Sequence, residues 1–160
     1  GAGHVSRCVA DQFLFIGCCV TVVDDRAEYL QENFFDSRVK RVHLDFKTLK
    51  DNLNLHAYTG IVVVTRAHEF DSMCLHQVRH VLPTYVGVMG SQKRIFHAFE
   101  VLKEEGWTQQ ELDMLYGPIG LDLGAQTPEE IALSIVAEYM AVSYRKQGGF
   151  LSKKRYTHEV

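Results

Sequence analysis

The chain has few cysteines, no long apolar run and no excess of positive charge, and each shortage excludes a class of protein. Its longest apolar stretches, residues 61–64 and 131–136, are far shorter than the roughly 20 residues of a membrane-spanning helix. The 4 cysteines form no C-x-x-C pair and are too sparse for a disulfide-rich secreted fold, so we expect reduced thiols in a cytoplasmic protein. A formal net charge of -3 gives no general attraction to nucleic acid.

Several well-known site motifs are also missing. The sequence has no H-E-x-x-H zinc motif, no Walker A loop and no recognisable nucleophile triad, so we expect no metal site. A length of 160 residues, 46% of them hydrophobic, is enough for one sizeable core. We therefore predict one domain over residues 1–147 and a polar tail over residues 148–160, whose basic run at 153–155 we expect to be solvated.

Helical and strand patterns alternate along the chain. Apolar residues at steps of three and four predict helices, and β-branched runs predict buried strands. The predicted helices cover residues 4–16, 46–53, 73–81, 91–105, 108–115 and 127–146, and the strands cover residues 20–24, 39–44, 61–65 and 85–89. Gly17 is expected to end the first helix and Gly148 the last. This order predicts an α/β fold, a Rossmann-like parallel sheet with helices on both faces.

The chain begins on a glycine turn. Gly1, Gly3 and Ser6 form a G-x-G-x-x-S pattern that opens the first predicted helix, and such a turn lets a pyrophosphate approach the helix amino terminus. His4 lies inside the turn and is either a contact to the bound group or a solvent-facing histidine. We expect the given sequence to be cut from a longer one, in which case the first strand of the sheet lies outside it.

Asp24 ends the next predicted strand, 23 positions after Gly1. An acid at this place in a dinucleotide-binding unit accepts hydrogen bonds from ribose hydroxyls and disfavours a 2′-phosphate, which the nearby Arg26 would moderate. The alternative is that Asp24 or Asp25 only caps the following helix. The glycine pattern favours the ribose contact.

Polar residues follow two later strands at the edge where open parallel sheets bind ligands. Arg66 and His68 come after the strongest strand and are candidates for an anionic ligand, whereas Asp71 is interpreted as a helix cap.

One strand later, Gly90, Ser91 and Lys93 open a helix beside Arg94. Cations are unusual in a first helical turn, so Lys93 and Arg94 either meet a phosphate or carboxylate or are simply solvated. Asp122 lies in a loop with several glycines and either approaches a ligand or stabilises the turn through an Asx contact.

Taken together, five segments resemble the carboxy-terminal domain of the xanthine dehydrogenase accessory factor (XdhC/CoxI) family. They are GAGHV at residues 1–5, VVDDR at 22–26, TRAH at 65–68, YVGVMGS at 85–91 and PIGLDLGAQTPEEIA at 118–132. The last segment is the most specific, because a generic nicotinamide-binding domain has no need of it. Family members generally carry an amino-terminal domain that this sequence lacks, and Ser6 replaces the usual small third residue of the glycine turn.

The resemblance implies a chaperone more than a catalyst, one that binds molybdenum cofactor (molybdopterin) and delivers it to a xanthine-dehydrogenase-like molybdenum hydroxylase apoenzyme. A homodimer is expected. Molybdopterin carries a phosphate, and its dinucleotide forms add a pyrophosphate and a ribose, the groups that a glycine turn and a strand-end acid recognise. Two alternatives stay open: an NAD(P)-dependent oxidoreductase and a non-catalytic nucleotide-sensing module.

Overall fold

A computed structural model describes residues 1–152; the basic run at 153–155, predicted to be solvated, lies outside the described residues. The helices are α1 (His4–Phe15), α2 (Leu49–Asn52), α3 (His68–Val78), α4 (Gln92–Glu104), α5 (Gln109–Leu112) and α6 (Pro128–Ser143). The strands are β1 (Thr21–Asp24), β2 (Lys40–His43), β3 (Gly60–Val63), β4 (Tyr85–Val88) and β5 (Leu115–Tyr116). The predicted alternation of helices and strands is confirmed.

Every strand pairing in the described chain is parallel, and the strands fall into two groups. β1 pairs with β2, with Thr21 opposite Lys40. β3 pairs with β4, and β4 with β5, in the order β3-β4-β5. Because parallel strands must be joined by crossovers, helices lie on the faces of these strands. The predicted α/β class is therefore confirmed, with the sheet divided into two parts.

Local signals in the sequence explain where the first and last helices begin and end. Gly17 has a φ of 87° and ends α1, with its N–H donating to Leu14 C=O and the Cys18 N–H to Phe13 C=O. At the start of α6, the Thr127 side chain accepts from the Glu130 N–H while Glu130 accepts from the Thr127 N–H, a capping box with Pro128 at the first helical position. The predicted start of α6 is thus confirmed.

Several predicted boundaries are wrong. α3 begins at His68 rather than Met73, because its polar first turn hides the helical period. Leu115 belongs to β5, not to the preceding helix, and pairs with Val86 of β4. The long helix α6 ends at Ser143 rather than near residue 146, because Arg145 takes the left-handed conformation with a φ of 54°.

Two layers of apolar side chains cover opposite faces of β3. Val63 packs with α2, α3 and α4 residues, including Leu49, Leu75 and Leu102, in the main core. Val62, one residue earlier, packs instead with α1 and α6 residues such as Val9. Because successive side chains of a strand point to opposite faces, β3 is covered by apolar side chains on both faces. None of the described helices is long and apolar enough to cross a membrane.

Candidate functional site

The amino-terminal turn passes between the carboxyl ends of β1 and β3. The backbone N–H of Ala2 donates to Asp24 Oδ2 at 2.7 Å, just at the end of β1. On the other side, a Cβ added to Gly1 would lie 2.2 Å from the carbonyl oxygen of Val64, which follows β3. Gly1 is therefore required by the fold, since any side chain there would collide with backbone.

At Gly3, in contrast, the fold would accommodate a side chain. It precedes α1 with a φ of -74° and a ψ of -175°, a conformation open to every residue, and a Cβ added there would meet nothing within 4 Å. No side chain caps α1, and its first turn contains no acidic residue. The first backbone N–H groups of α1 have no acceptor within the helix, so they present positive charge to the open space beside Gly3.

Asp24 is completely buried beneath this turn. Its Oδ1 accepts from the backbone N–H of Arg26 at 3.0 Å and from Arg26 Nε at 2.9 Å, while Oδ2 accepts from Ala2 and from Arg26 Nη2. The Arg26 guanidinium also stacks over the Tyr29 ring at 3.7 Å. Neither acid caps the next helix through its side chain, so the capping alternative is wrong. The predicted ribose contact remains a prediction, and in this conformation both oxygens of Asp24 bind protein groups.

Arg66 forms a bidentate ion pair with Asp25 across the same edge. Its Nη1 and Nη2 lie 2.6 and 2.8 Å from the two carboxylate oxygens, and its guanidinium lies 3.9 Å from the centre of the Phe70 ring. The hydrogen bond from Arg66 lowers the pKa of Asp25 to about 2. The pair therefore joins the loop after β1 to the loop after β3, and the Arg66 side chain stays partly exposed.

A second buried carboxylate, that of Asp71, lies near the same edge at the start of α3. Asp71, predicted to be a cap, lies inside the first turn of α3, where it accepts from Thr65 Oγ1 and pairs with the guanidinium of Arg94 on α4. Burial raises the pKa of Asp71, against the opposing effect of Thr65 and Arg94. The expectation that Arg94 meets a phosphate or carboxylate, rather than being solvated, is confirmed by this contact. Sequence reasoning did not identify Asp71 as the partner, because the two residues are distant in the chain.

The remaining candidates around this edge are mostly exposed. His4 begins α1, His68 begins α3 and Lys93 lies in the first turn of α4, and all three side chains face solvent. Ser91 caps α4 as predicted, accepting from the Arg94 N–H at 3.3 Å. Gly90 has tight contacts, since a Cβ there would lie 3.1 Å from the Arg94 side chain. No three His, Cys, Asp or Glu residues within 1–152 are placed to hold a metal ion.

Asp122 lies on a loop that is anchored to α6. The Leu121 N–H donates to Ser134 C=O at 3.1 Å, and Gly120, with a φ of 107°, packs against the Ser134 side chain. Asp122 itself is exposed and makes no hydrogen bond or ion pair within the part of the chain that the structure describes. The alternative that it stabilises the turn through an Asx contact is therefore wrong, and its carboxylate is not brought into contact with the other candidates.

Arg7 is a cation near the glycine turn that sequence reasoning missed. It lies in α1, its guanidinium stacks 3.7 Å from the centre of the Phe34 ring, and its buried Nε has no hydrogen-bond partner among residues 1–152. No carboxylate in the same range pairs with it. A cation near the start of a helix whose first turn has no acidic residue was the available signal, the same one that marked Lys93.

Comparison with known proteins gives several similar chains. A protein called "Uncharacterized protein YqeB" from Escherichia coli (strain K12) is 27% identical over 154 residues, 96% of this chain and 28% of the relative. A probable xanthine dehydrogenase subunit of Bacillus subtilis (strain 168) is 25% identical over 91% of this chain and 42% of its own length. The molybdenum cofactor insertion chaperone PaoD of Escherichia coli (strain K12) is 26% identical over 91 residues, 56% of this chain and 29% of its own.

A solved structure has the same fold. A crystal structure described as a xanthine dehydrogenase from Bacillus halodurans matches with a TM-score of 0.74 and 28% identity, covering 94% of this chain and 43% of that one. The chain thus spans less than half the length of these relatives. The sequence profile of the XdhC Rossmann domain matches residues 1–139. The chain therefore belongs to the XdhC Rossmann-domain family.

Proposed function

We propose that this domain binds molybdenum cofactor as cargo, through the cofactor's phosphate or pyrophosphate, during maturation of xanthine-dehydrogenase-type molybdenum hydroxylases. The observation that carries the proposal is the open space beside Gly3. A side chain would fit there without collision, so the fold leaves free the volume that a phosphate needs to approach the backbone N–H groups of α1.

The charge around the turn supports an anionic cargo. The uncapped amino terminus of α1 contributes partial positive charge, and Arg66 and Lys93 follow the carboxyl ends of β3 and β4 at the same edge of the strands. Arg66 already neutralises Asp25, so the edge is not dominated by free acids. Gly1, Gly3 and His4 form the proposed phosphate contact, with Arg66, His68, Gly90, Ser91 and Lys93 on the adjoining loops. Asp122 is proposed as a more distant contact that a larger cargo would reach.

The state of Asp24 favours this proposal over a nicotinamide-dependent oxidoreductase. A dehydrogenase needs its strand-end acid for the ribose hydroxyls, whereas here the carboxylate is buried and bound to Ala2 and Arg26. Its role in the proposal is to position the glycine turn. If the cargo is a dinucleotide form of the cofactor, a ribose contact by Asp24 requires Arg26 to move away first.

The proposed recipient of the cargo is a molybdenum hydroxylase apoenzyme. Support comes from the names of two relatives, one a molybdenum cofactor insertion chaperone and one a probable xanthine dehydrogenase subunit. The chain covers only 29% and 42% of the lengths of these two relatives. The proposal therefore does not require this domain to deliver the cofactor alone. The expected homodimer likewise remains a prediction, as does a cytoplasmic location.

The decisive experiment compares Gly3→Ala with the control Gly149→Ala. Both substitutions add a methyl group in open space, so both variants are expected to unfold within about 1 kcal/mol of the parent chain. Calorimetric titration with molybdenum cofactor is expected to show at least a tenfold weaker Kd for Gly3→Ala, equivalent to about 1.4 kcal/mol. Gly149→Ala is expected to bind as the parent does.

Parallel titrations with NAD and NADP separate the alternatives. Binding of molybdenum cofactor with no measurable nicotinamide binding is the expected result. A parent chain that binds NAD and ignores molybdenum cofactor contradicts the proposal and favours the oxidoreductase or sensing module. Equal cofactor affinity in Gly3→Ala and the parent contradicts the assignment of the site to the glycine turn.

A further inference from the structure

Arg7 carries a positive charge that no acidic residue of the described chain neutralises. Asp11, one turn further along α1, forms no ion pair with it, and neither does any other carboxylate among residues 1–152. Other arginines around the glycine turn each have a carboxylate: Arg26 pairs with Asp24, Arg66 with Asp25 and Arg94 with Asp71. Arg7 therefore contributes one uncompensated positive charge to this part of the surface.

The Arg7 side chain is also partly buried without hydrogen bonds. Its Nε is buried and has no acceptor among residues 1–152. The guanidinium lies 3.7 Å from the centre of the Phe34 ring, and a ring face stabilises a cation but does not replace the oxygen acceptors that its N–H groups require. Because a buried donor without an acceptor is costly, such a group in a native fold calls for an acceptor that the chain itself does not supply.

Helix geometry places Arg7 beside the glycine turn. Its backbone N–H donates to Gly3 C=O at 3.1 Å, so the two residues lie one turn apart on the same face of α1. Helical side chains slope toward the amino terminus of their helix, which directs Arg7 toward Gly3. Phe34, the stacking partner, packs in the apolar cluster that contains Ala2 of the turn. The guanidinium is therefore held next to the open space at Gly3.

The turn and the arginine offer an anion two different kinds of contact. The first backbone N–H groups of α1 carry only partial positive charge. A guanidinium adds a full charge and pairs of parallel N–H groups that match two oxygens of one phosphate. A pterin without a phosphate offers neither the negative charge nor these oxygens. The two contacts together therefore favour a ligand that carries a phosphate.

We propose that Arg7 binds the phosphate or pyrophosphate of the cargo directly and makes the glycine turn selective for phosphorylated over unphosphorylated pterins. The identity of the cargo rests on the proposed function, to which Arg7 and the ligand class are added. Phe34 holds the guanidinium before the ligand arrives, so little side-chain freedom is lost on binding. The bound phosphate supplies the acceptors and the negative charge that Arg7 lacks within the described chain.

The test compares Arg7→Met with the control Arg38→Met. Both variants lose one positive charge, but Arg38 lies before β2, at the opposite edge of the parallel strands from the glycine turn, and pairs with Asp36. Calorimetric titration with inorganic pyrophosphate and with molybdenum cofactor gives the Kd of the parent chain and of each variant. Arg7→Met is expected to bind both ligands at least tenfold more weakly, and Arg38→Met is expected to bind as the parent does.

Selectivity is measured with neopterin monophosphate and neopterin, which differ only in the phosphate. The parent chain is expected to prefer the phosphate ester at least tenfold, and Arg7→Met is expected to lose most of that preference. Arg7→Lys keeps the charge but not the planar fork, so intermediate affinity for pyrophosphate is expected.

Two further readouts distinguish a ligand contact from a structural role of Arg7. Raising the salt concentration from about 50 to about 500 mM is expected to weaken pyrophosphate binding to the parent chain more than to Arg7→Met, because the variant lacks the charge that salt screens. The Tm of ligand-free Arg7→Met is expected not to fall, since the substitution removes an unpaired buried donor while methionine still packs on Phe34.

The outcomes separate the role of Arg7 from the proposed function. Parent-like pyrophosphate affinity in Arg7→Met, an equal loss in Arg38→Met, or a parent chain that does not prefer the phosphate ester overturns the role of Arg7. If Gly3→Ala weakens cofactor binding and Arg7→Met does not, only the proposed function stands. Pyrophosphate binding through Arg7 without any cofactor binding leaves the anion site in place and makes the cargo wrong. A parent chain that binds neither ligand overturns both.

Discussion

Replacing Arg94 by methionine is expected to leave the Asp71 carboxylate buried without a cation. The side chain of Asp71 is fully buried, whereas that of Arg94 is 28% exposed. Breaking a buried ion pair from one side costs about 3–5 kcal/mol, and the partial exposure of Arg94 places the expected loss near the lower figure, about 3 kcal/mol. For a chain of this size that corresponds to a Tm decrease of roughly 6–12 °C.

The pH dependence gives the prediction a sign. Burial raises the pKa of Asp71 above its unfolded value, so the folded state favours the protonated carboxyl. Arg94 holds the pKa of Asp71 down, so Arg94→Met raises that pKa further. The loss is therefore expected to grow as the pH rises above the folded-state pKa of the parent chain and to shrink as the pH falls. Urea unfolding of the parent chain and of Arg94→Met at pH 5 and at pH 8 gives the loss in the free energy of unfolding at each pH.

Two further variants control this experiment. Asp71→Asn combined with Arg94→Met removes the charge along with its partner and is expected to recover most of the lost stability. Arg38→Met breaks a pair of similar geometry with Asp36, but Arg38 is 67% exposed, so a far smaller loss than that of Arg94→Met is expected. The reasoning is refuted if Arg94→Met at pH 8 unfolds like Arg38→Met, or if the double variant is no more stable than the single one.

Two other predictions concern the segment around α6. Gly120→Ala is expected to destabilise the chain by about 2 kcal/mol, since the residue has a φ of 107° and an added Cβ would lie 2.5 Å from Ser134 Oγ. Thermal unfolding with Gly149→Ala as control measures this, and equal Tm values would contradict it. Thr127→Ala removes the capping box of α6 and is expected to cost about 1 kcal/mol in urea unfolding. A loss below about 0.3 kcal/mol would contradict that value.

Elements that carry their own local signal could be predicted from the sequence. The β-branched run of β3 indicates a strand, and the cap, proline and glutamate at residues 127–130 indicate a helix start, each within a few residues. β5 could not be predicted, because its 2 residues are too few to show alternation and its existence depends on pairing with β4. Arg145, in the left-handed conformation, ends α6 before Gly148, the residue predicted to end it.

Some features of the candidate site could likewise be predicted from the sequence, and others could not. Parallel strand order was enough to place Gly3, Arg66 and Lys93 after strand ends at one edge of the fold. The pairing of Asp71 with Arg94 spans 23 residues and follows from how α3 packs on α4, so no local pattern could reveal it. The hydrogen bond from the Ala2 N–H to Asp24 could not be predicted either, because Ala2 lies 22 residues earlier in the chain.

The packing of α1 against α6 has a consequence for the order in which the protein matures. Within this domain α1 is synthesised before α6, but α6, residues 128–143, is the helix that covers the apolar face of α1. Until that segment is synthesised, Val9 and its neighbours remain exposed and open to non-native association. Cotranslational folding of the glycine turn is therefore expected to wait for nearly the whole domain, and chain fragments ending before residue 128 are expected to require chaperones or to aggregate.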